Sequence, residues 1–409
     1  MINKKRLFNR LLELGVVGNK KDGLYCLALS DEEGQAHELV ARYMEEAGLE
    51  VHMDLAGNLV GRLVGENPEA PVVMIGSHID SVYGGGIFDG RLGVLGGVEV
   101  LQTMNEQGIK PKCTVEVLAY RDEEATRFIG SYSGAGHLTG VYDKGIMTHA
   151  DKDGKTVVEC LTACGIDPAH VEEAQLPEGY AKAHLELHIE QGAVLESKNL
   201  SVGVVTGICC QIRGEFVIKG TASHAGTTPM NLRKDPMAAS AEIMLMIEEE
   251  VKKYPNAVAT VGKIEAFPGG VNVIPGKVKF SIDMRNQQAS LRDEMFAVMK
   301  EKAEAICAKR QVEMEINIMM KDAEGKPCAD HIQDKIANAC EVAGLEPFRM
   351  PSGAGHDSSA FADFCPMGMI FIRSKDGISH SKDEWSTAED CADGANVLYH
   401  TVLDLAMEE

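Results

Sequence analysis

Along the chain, short apolar runs alternate with longer amphipathic ones. Pro71–Ser77 (PVVMIGS) is nearly continuous in apolar residues, as a strand covered on both faces would be. Leu92–Met104 follows with helical character. Cys113–Tyr120 (CTVEVLAY), His184–Glu190 (HLELHIE) and Gly368–Ile372 (GMIFI) again read as strands. Strand-like and helix-like runs in alternation predict an α/β layered fold. Between 213 and 328 the texture changes. Glu215–Lys219 and Lys277–Met284 alternate polar and apolar positions, as strands with one solvated face do. Two amphipathic helices are expected there, Pro236–Lys253 and Ser290–Lys309. Asp235 stands as N-cap of the first, with Pro236 at its first position. The fold class expected is α/β: a split catalytic domain of residues 1–212 and 329–409, its central β-sheet flanked by helices. An α+β domain of residues 213–328 is inserted into it. The apolar stretch 237–247 (MAASAEIMLMI) reads equally as a core face or a subunit interface.

Charge narrows the function classes. The 409 residues carry a formal charge of −22, which argues against nucleic-acid partners and anionic membrane surfaces. Anionic small substrates stay open, because one arginine can reverse the field inside a cleft. No run approaches the roughly 18 consecutive apolar residues of a membrane span. The first segment, MINKKRLFNRLLELGVVG, reads as an amphipathic helix, not a signal peptide. The 11 cysteines are scattered, with no C-x-x-C pair. Reduced thiols and a cytoplasmic location are therefore expected. The adjacent Cys209 and Cys210 read as small buried residues or as a redox-sensitive pair.

The candidate chemistry gathers where apolar strands end. His78 and Asp80 lie in G-S-H-I-D, Asp89 in G-G-G-I-F-D-G, Glu123 beside Glu124, His188 in H-I-E-Q-G and His380 in G-I-S-H-S. Imidazoles and carboxylates are the ligands of zinc-like divalent ions where thiolates are absent. Two such ions about 3.5–4 Å apart would suit the set. Any one of these residues alone has a bland reading: a structural histidine, a turn aspartate, a solvated acidic loop. Their shared placement at strand ends favours the functional one.

These motifs, with A-T-R-F after the glutamate pair, S-H-A-G-T-T-P-M, V-N-V-I-P-G, D-M-R, G-A-G-H-D-S, D-G-I-S-H and E-W-S-T-A-E-D, run in order nearly end to end. The chain resembles the hydantoinase/carbamoylase branch of the binuclear zinc peptidase and aminoacylase clan. That resemblance implies two divalent metal ions per subunit, with zinc, manganese, cobalt and nickel all acceptable to such ligands. His78, Asp89 and His188 would hold one ion. Asp89, Glu124 and His380 would hold the other, with Asp89 bridging. Asp80 would orient His78 from behind, and Glu123 would be the general base. His224 would act across a homodimer on the other subunit's site as a donor to the oxyanion. Asn272 and Arg285 would hold the substrate carboxylate, Arg285 through its planar fork. Gln191 would contact the ureido group, with Gln211 a weaker candidate. Gly355 and His356 would line the substrate region, although His356 reads equally as a brace for its loop.

By the same resemblance the substrate is a small ureido acid. N-carbamoyl-L-amino acids come first, giving amino acid, ammonia and carbon dioxide, and allantoate is the alternative. Peptidase relatives commonly carry a carboxylate at the position of His188, so an aminoacylase or dipeptidase ranks third. A non-catalytic binding protein on this scaffold would lack a ligand or the base, and none is missing. Two features depart from expectation: the charged Arg121 and Asp122 before the glutamate pair, and the glycine-rich Gly84–Gly86 loop.

Overall fold

The computed structural model describes every residue except Ile129 and Glu409. The chain divides into two compact units. One comprises Met1–Thr206, Cys328–Met350 and Ala354–Glu409, and the other Gly207–Pro327 with Pro351–Gly353.

The first unit is built on a mixed sheet. Four strands at its heart run parallel, in the spatial order Met367–Ile372, Ala181–Ile189, Val72–His78, Val115–Tyr120. Antiparallel strands flank them: Val202–Ile208 on one side, Leu59–Leu63 and then Glu50–Met53 on the other. Every residue of Val72–His78 is buried, and its alternate side chains explain why. Val73 and Ile75 join the core that holds Val98 and Leu101 of the Arg91–Glu106 helix and Leu398 of the Ala388–Met407 helix. Val72 and Met74 face the opposite core, with Leu118, Leu138 and Phe361. Each such side chain contributes about 1.5–3 kcal/mol by leaving water. The four heart strands are those expected from the apolar runs, each shifted at its ends by one to three residues. Because they are parallel, their carboxyl ends share one edge of the sheet, where ligands bind in such folds. His78, the loop after Tyr120, His188 and the loop after Ile372 all meet that edge.

The second unit is antiparallel, in the order Val258–Thr260, Lys277–Asn286, Cys210–Lys219, Glu313–Lys321. Burial along Lys277–Asn286 alternates strictly. Phe280, Ile282 and Met284 pack under two helices, Pro236–Val251 and Ala289–Arg310. The Asp235 side chain accepts from the backbone N–H groups of Met237 and Ala238 at 2.9 and 3.3 Å, the N-cap that its place before Pro236 implies. The unit begins ahead of residue 213 because Cys210–Lys219 belongs whole to its sheet, with Cys210 paired to Asn286.

Candidate metal and active site

Asp89 is the centre of the site. It lies just before the Arg91–Glu106 helix and is buried. His188 Nε2 lies 3.0 Å and His78 Nε2 3.7 Å from Asp89 Oδ1. His380 Nε2 lies 3.1 Å from Asp89 Oδ2 and 3.6 Å from Glu124 Oε1. Two groups of potential ligand atoms result, His78–Asp89–His188 and Asp89–Glu124–His380, each with its atoms within 4.8 Å of one another and sharing Asp89. A third such group, Glu186–His188–His356, lies beside the first and is wholly buried. Glu186 accepts from Ser77 Oγ at 2.9 Å and from the Ser358 hydroxyl and N–H at 2.7 and 3.0 Å.

The electrostatics call for positive charge at this point. Burial pushes Glu124 up to about 10, with Asp89 and Glu123 adding to it. Burial and the charges of Asp357, Asp80 and Asp89 push Glu123 well above the usual carboxylate range. Burial alone would lower His188, yet its hydrogen bond to Asp89 and the charges of Asp89 and Glu186 hold it up at about 9. Hydrogen bonding to Asp89, opposed by burial and helped by Glu124, holds His380 at about 9 as well. Two imidazoles are thus drawn towards their charged form by one carboxylate. Divalent cations on the same nitrogens and oxygens would answer that demand with hard and borderline donors suited to them. The donor set fits a metal pair.

The supporting contacts differ in part from the sequence expectation. His78 Nδ1 lies 3.2 Å from the Asp80 backbone oxygen and 3.6 Å from its carboxylate. The Asp80 carboxylate instead accepts from the backbone N–H groups of Glu123 and Glu124, both at 3.3 Å. It therefore holds the glutamate pair against the histidine strand. The His188 ring is fixed by its own neighbour, Nδ1 to Ile189 O at 2.9 Å. Gln191 donates through Nε2 to Asp89 Oδ2 at 2.8 Å, while its buried Oε1 has no hydrogen-bond partner. His356 is buried, edge-on to His188 with ring centroids 4.5 Å apart. Gly355 is exposed, and a Cβ added there would meet nothing within 4 Å. Packing thus does not require glycine at that position. Arg121 and Asp122 turn away from solvent: Arg121 is fully buried and pairs with Glu33.

Glu384 and Ser379 escaped the sequence reading. Glu384 Oε1 accepts from the Phe88 and Asp89 backbone N–H groups at 2.9 and 3.1 Å. Ser379 Oγ lies 2.8 Å from Glu384 Oε2 and 3.1 Å from Asp89 Oδ2. One carboxylate thereby ties the Asp89 turn to the His380 loop. The only hint was its place in E-W-S-T, which served as a family mark and not as a contact. Gly90, the glycine of the F-D-G around Asp89, makes a close backbone approach. It has φ 65°, and a Cβ there would stand 2.5 Å from the His78 ring.

His224, Asn272, Gln211 and Arg285 lie on the second unit. His224 sits on a two-stranded ribbon opposite Val273, and Ala225 N–H donates to the Asn272 carbonyl at 3.0 Å. The ribbon thus brings His224 and Asn272 together. His224 Nδ1 accepts from the Gly226 and Thr227 N–H groups, so the neutral ring carries its proton on Nε2. Gln211 is paired directly across the sheet with Arg285. The Arg285 fork is partly engaged within its own unit. Nε and Nη2 donate to the two Asp283 oxygens at 2.8 and 2.9 Å, and Nη1 to Gly353 O at 2.5 Å.

Residues 74–404 match the family described as Peptidase family M20/M25/M40. The chain is 48% identical to an N-carbamoyl-L-amino acid amidohydrolase of Geobacillus stearothermophilus over 410 residues, covering 100% of both chains. It is 36% identical to the allantoate amidohydrolase of Escherichia coli (strain K12) over 390 residues, 95% of this chain and 94% of that one. Among solved structures, a hydantoinase/carbamoylase family amidase from Burkholderia multivorans superposes with a TM-score of 0.94 at 33% identity, covering 100% of this chain and 98% of that chain. The family match spans the segments that carry His78, Asp89, Glu124, His188 and His380, and with the full-length likenesses it shows that the chain belongs to peptidase family M20/M25/M40, in its hydantoinase/carbamoylase amidase branch.

Proposed function

We propose that this protein hydrolyses N-carbamoyl-L-amino acids, with a pair of divalent metal ions held by His78, Asp89 and His188 and by Asp89, Glu124 and His380. The observation that carries the substrate class is the 48% identity over the whole chain to an amidohydrolase of that name. Bound metal would polarise the ureido carbonyl and acidify water. The chain's own residues do the rest. Glu123 takes a proton from the attacking water and passes it to the leaving ureido nitrogen. Cleavage frees the amino acid, and the carbamate left behind breaks down to ammonia and carbon dioxide. Gln191 Oε1, without a partner of its own, is an acceptor for a ureido N–H. The Nε2 proton of His224 is a donor to the developing oxyanion, and its tautomer is fixed beforehand. Asn272 and Arg285 hold the substrate carboxylate.

The working unit is a homodimer in which His224 serves the other subunit. Its supporting surface is the outer face of the Pro236–Val251 helix with the neighbouring sheet edge, where Met237, Leu245 and Val258 stand exposed. All 11 cysteines are free, in keeping with a reducing compartment such as the cytoplasm. No helix among the described residues is long and apolar enough to cross a membrane.

The test is ammonia release from N-carbamoyl-L-amino acids, their D forms and allantoate, with zinc, manganese, cobalt or nickel added in turn. Turnover of the L-carbamoyl compounds is expected. Turnover of allantoate alone would move the reading to that substrate, and none on any ureido acid would end it. Glu123→Gln should keep its metal yet lose about 10²–10⁴-fold in kcat, and full turnover would remove Glu123 as the base.

A further inference from the structure

The second unit surrounds Arg285 with charged groups that the reaction scheme does not use. Asp283 stands directly opposite Arg213 across the sheet, on the face turned away from the helices. Arg213 Nε donates to Asp283 Oδ2 at 2.9 Å. Asp283 also holds Arg285 through Nε and Nη2. Two guanidinium groups thus share one carboxylate on the wall of an open groove of about 630 Å3, which Gly353 also lines.

A guanidinium has five N–H donors. Asp283 takes two from Arg285 and the Gly353 carbonyl takes a third. One N–H is left on each of Nη1 and Nη2, enough for the two oxygens of a carboxylate. Orientation is therefore settled by Asp283 and Gly353, but charge is not. Paired with Asp283 alone, Arg285 would belong to a neutral couple and attract an anion weakly. Arg213 restores a net single positive charge to the array.

We infer that Asp283 is a positioning residue that aims Arg285, and that Arg213 sets affinity for the substrate carboxylate by offsetting the charge of Asp283. This rests on the reading of Arg285 as the carboxylate holder. Arg213 needs no contact with the substrate, since it acts through Asp283.

The experiment is steady-state kinetics of the metal-loaded enzyme on an N-carbamoyl-L-amino acid and on its carboxamide analogue. Arg213→Gln should raise KM for the acid about five- to tenfold with kcat little changed, solvent screening keeping the effect modest. Its KM for the uncharged analogue should not move. Arg213→Lys, which keeps the charge, should stay near the parent. In an Asp283→Asn background, adding Arg213→Gln again withdraws one positive charge, so KM for the acid should rise there too. A rise for the carboxamide as well overturns the inference. So does an unchanged KM in Arg213→Gln while Arg285→Gln raises it. An unchanged KM in Arg285→Gln would instead remove the carboxylate reading itself.

Discussion

Gly90 sets how near the chain can come to the imidazole of His78. Its backbone lies in the left-handed region, and a methyl group there would stand 2.5 Å from the ring. Gly90→Ala must therefore displace His78 or the turn that carries Asp89. The expected cost is about 1–3 kcal/mol, read as a lower thermal midpoint with reduced metal content. Parent-like values for both would show that the turn yields freely. Among single residues, those that end apolar runs were the legible ones. His78 and His188 close strands that periodicity alone marks out, and Glu123 and Glu124 follow one directly. The F-D-G motif already marks Gly90, but not its partner, a ring 12 positions earlier on another element. The Arg285–Asp283 pair was half legible. The D-M-R spacing puts both side chains on one face of a strand, but only the folded sheet adds Arg213 beside them.

At the scale of elements, the site is a set of strand ends held in register by loop contacts. Parallel pairing places the ends of Val72–His78 and Val115–Tyr120 together, with His78 opposite Tyr120. That much follows from apolar runs and from the rule for open α/β sheets. The antiparallel strands Leu59–Leu63 and Glu313–Lys321 were missed, the first being short and the second mostly exposed. Loop-to-loop ties were beyond reach for another reason: no local pattern links Glu384 to the turn at Asp89. Glu384→Ala removes the acceptor that joins the two ligand-bearing loops. Its affinity for added metal should fall about 10–100-fold, the usual effect of losing a group that orients ligands. Calorimetric titration of the metal-stripped protein measures it, and parent affinity would reduce Glu384 to a packing residue.

At the scale of the molecule, the two units differ in what they offer water. The first covers both faces of its sheet. The second leaves one sheet face and part of one helix open, with Leu245 at 66% exposure. An apolar side chain that prominent, beside Met237 and Val258, is what a subunit contact would cover. Leu245→Glu should shift the protein from dimer to monomer in sedimentation velocity and lower kcat in step. A dimer of unchanged stability would place the contact elsewhere. The sequence had left the 237–247 stretch open between core and interface. The fold divides it, with Ile243 and Ile247 inward and Leu245 outward.

The spacing of the site along the chain has a consequence for how the protein is made. The Asp89–Glu124–His380 group draws its last member from position 380 of 409. Chains leave the ribosome N-terminus first, at about 5–20 residues per second. His78, Asp89 and His188 emerge early enough to meet while translation continues. The other group is incomplete until position 380 has been added. The two ligand groups are then completed in a fixed temporal order, and a product truncated before His380 could assemble at most the first.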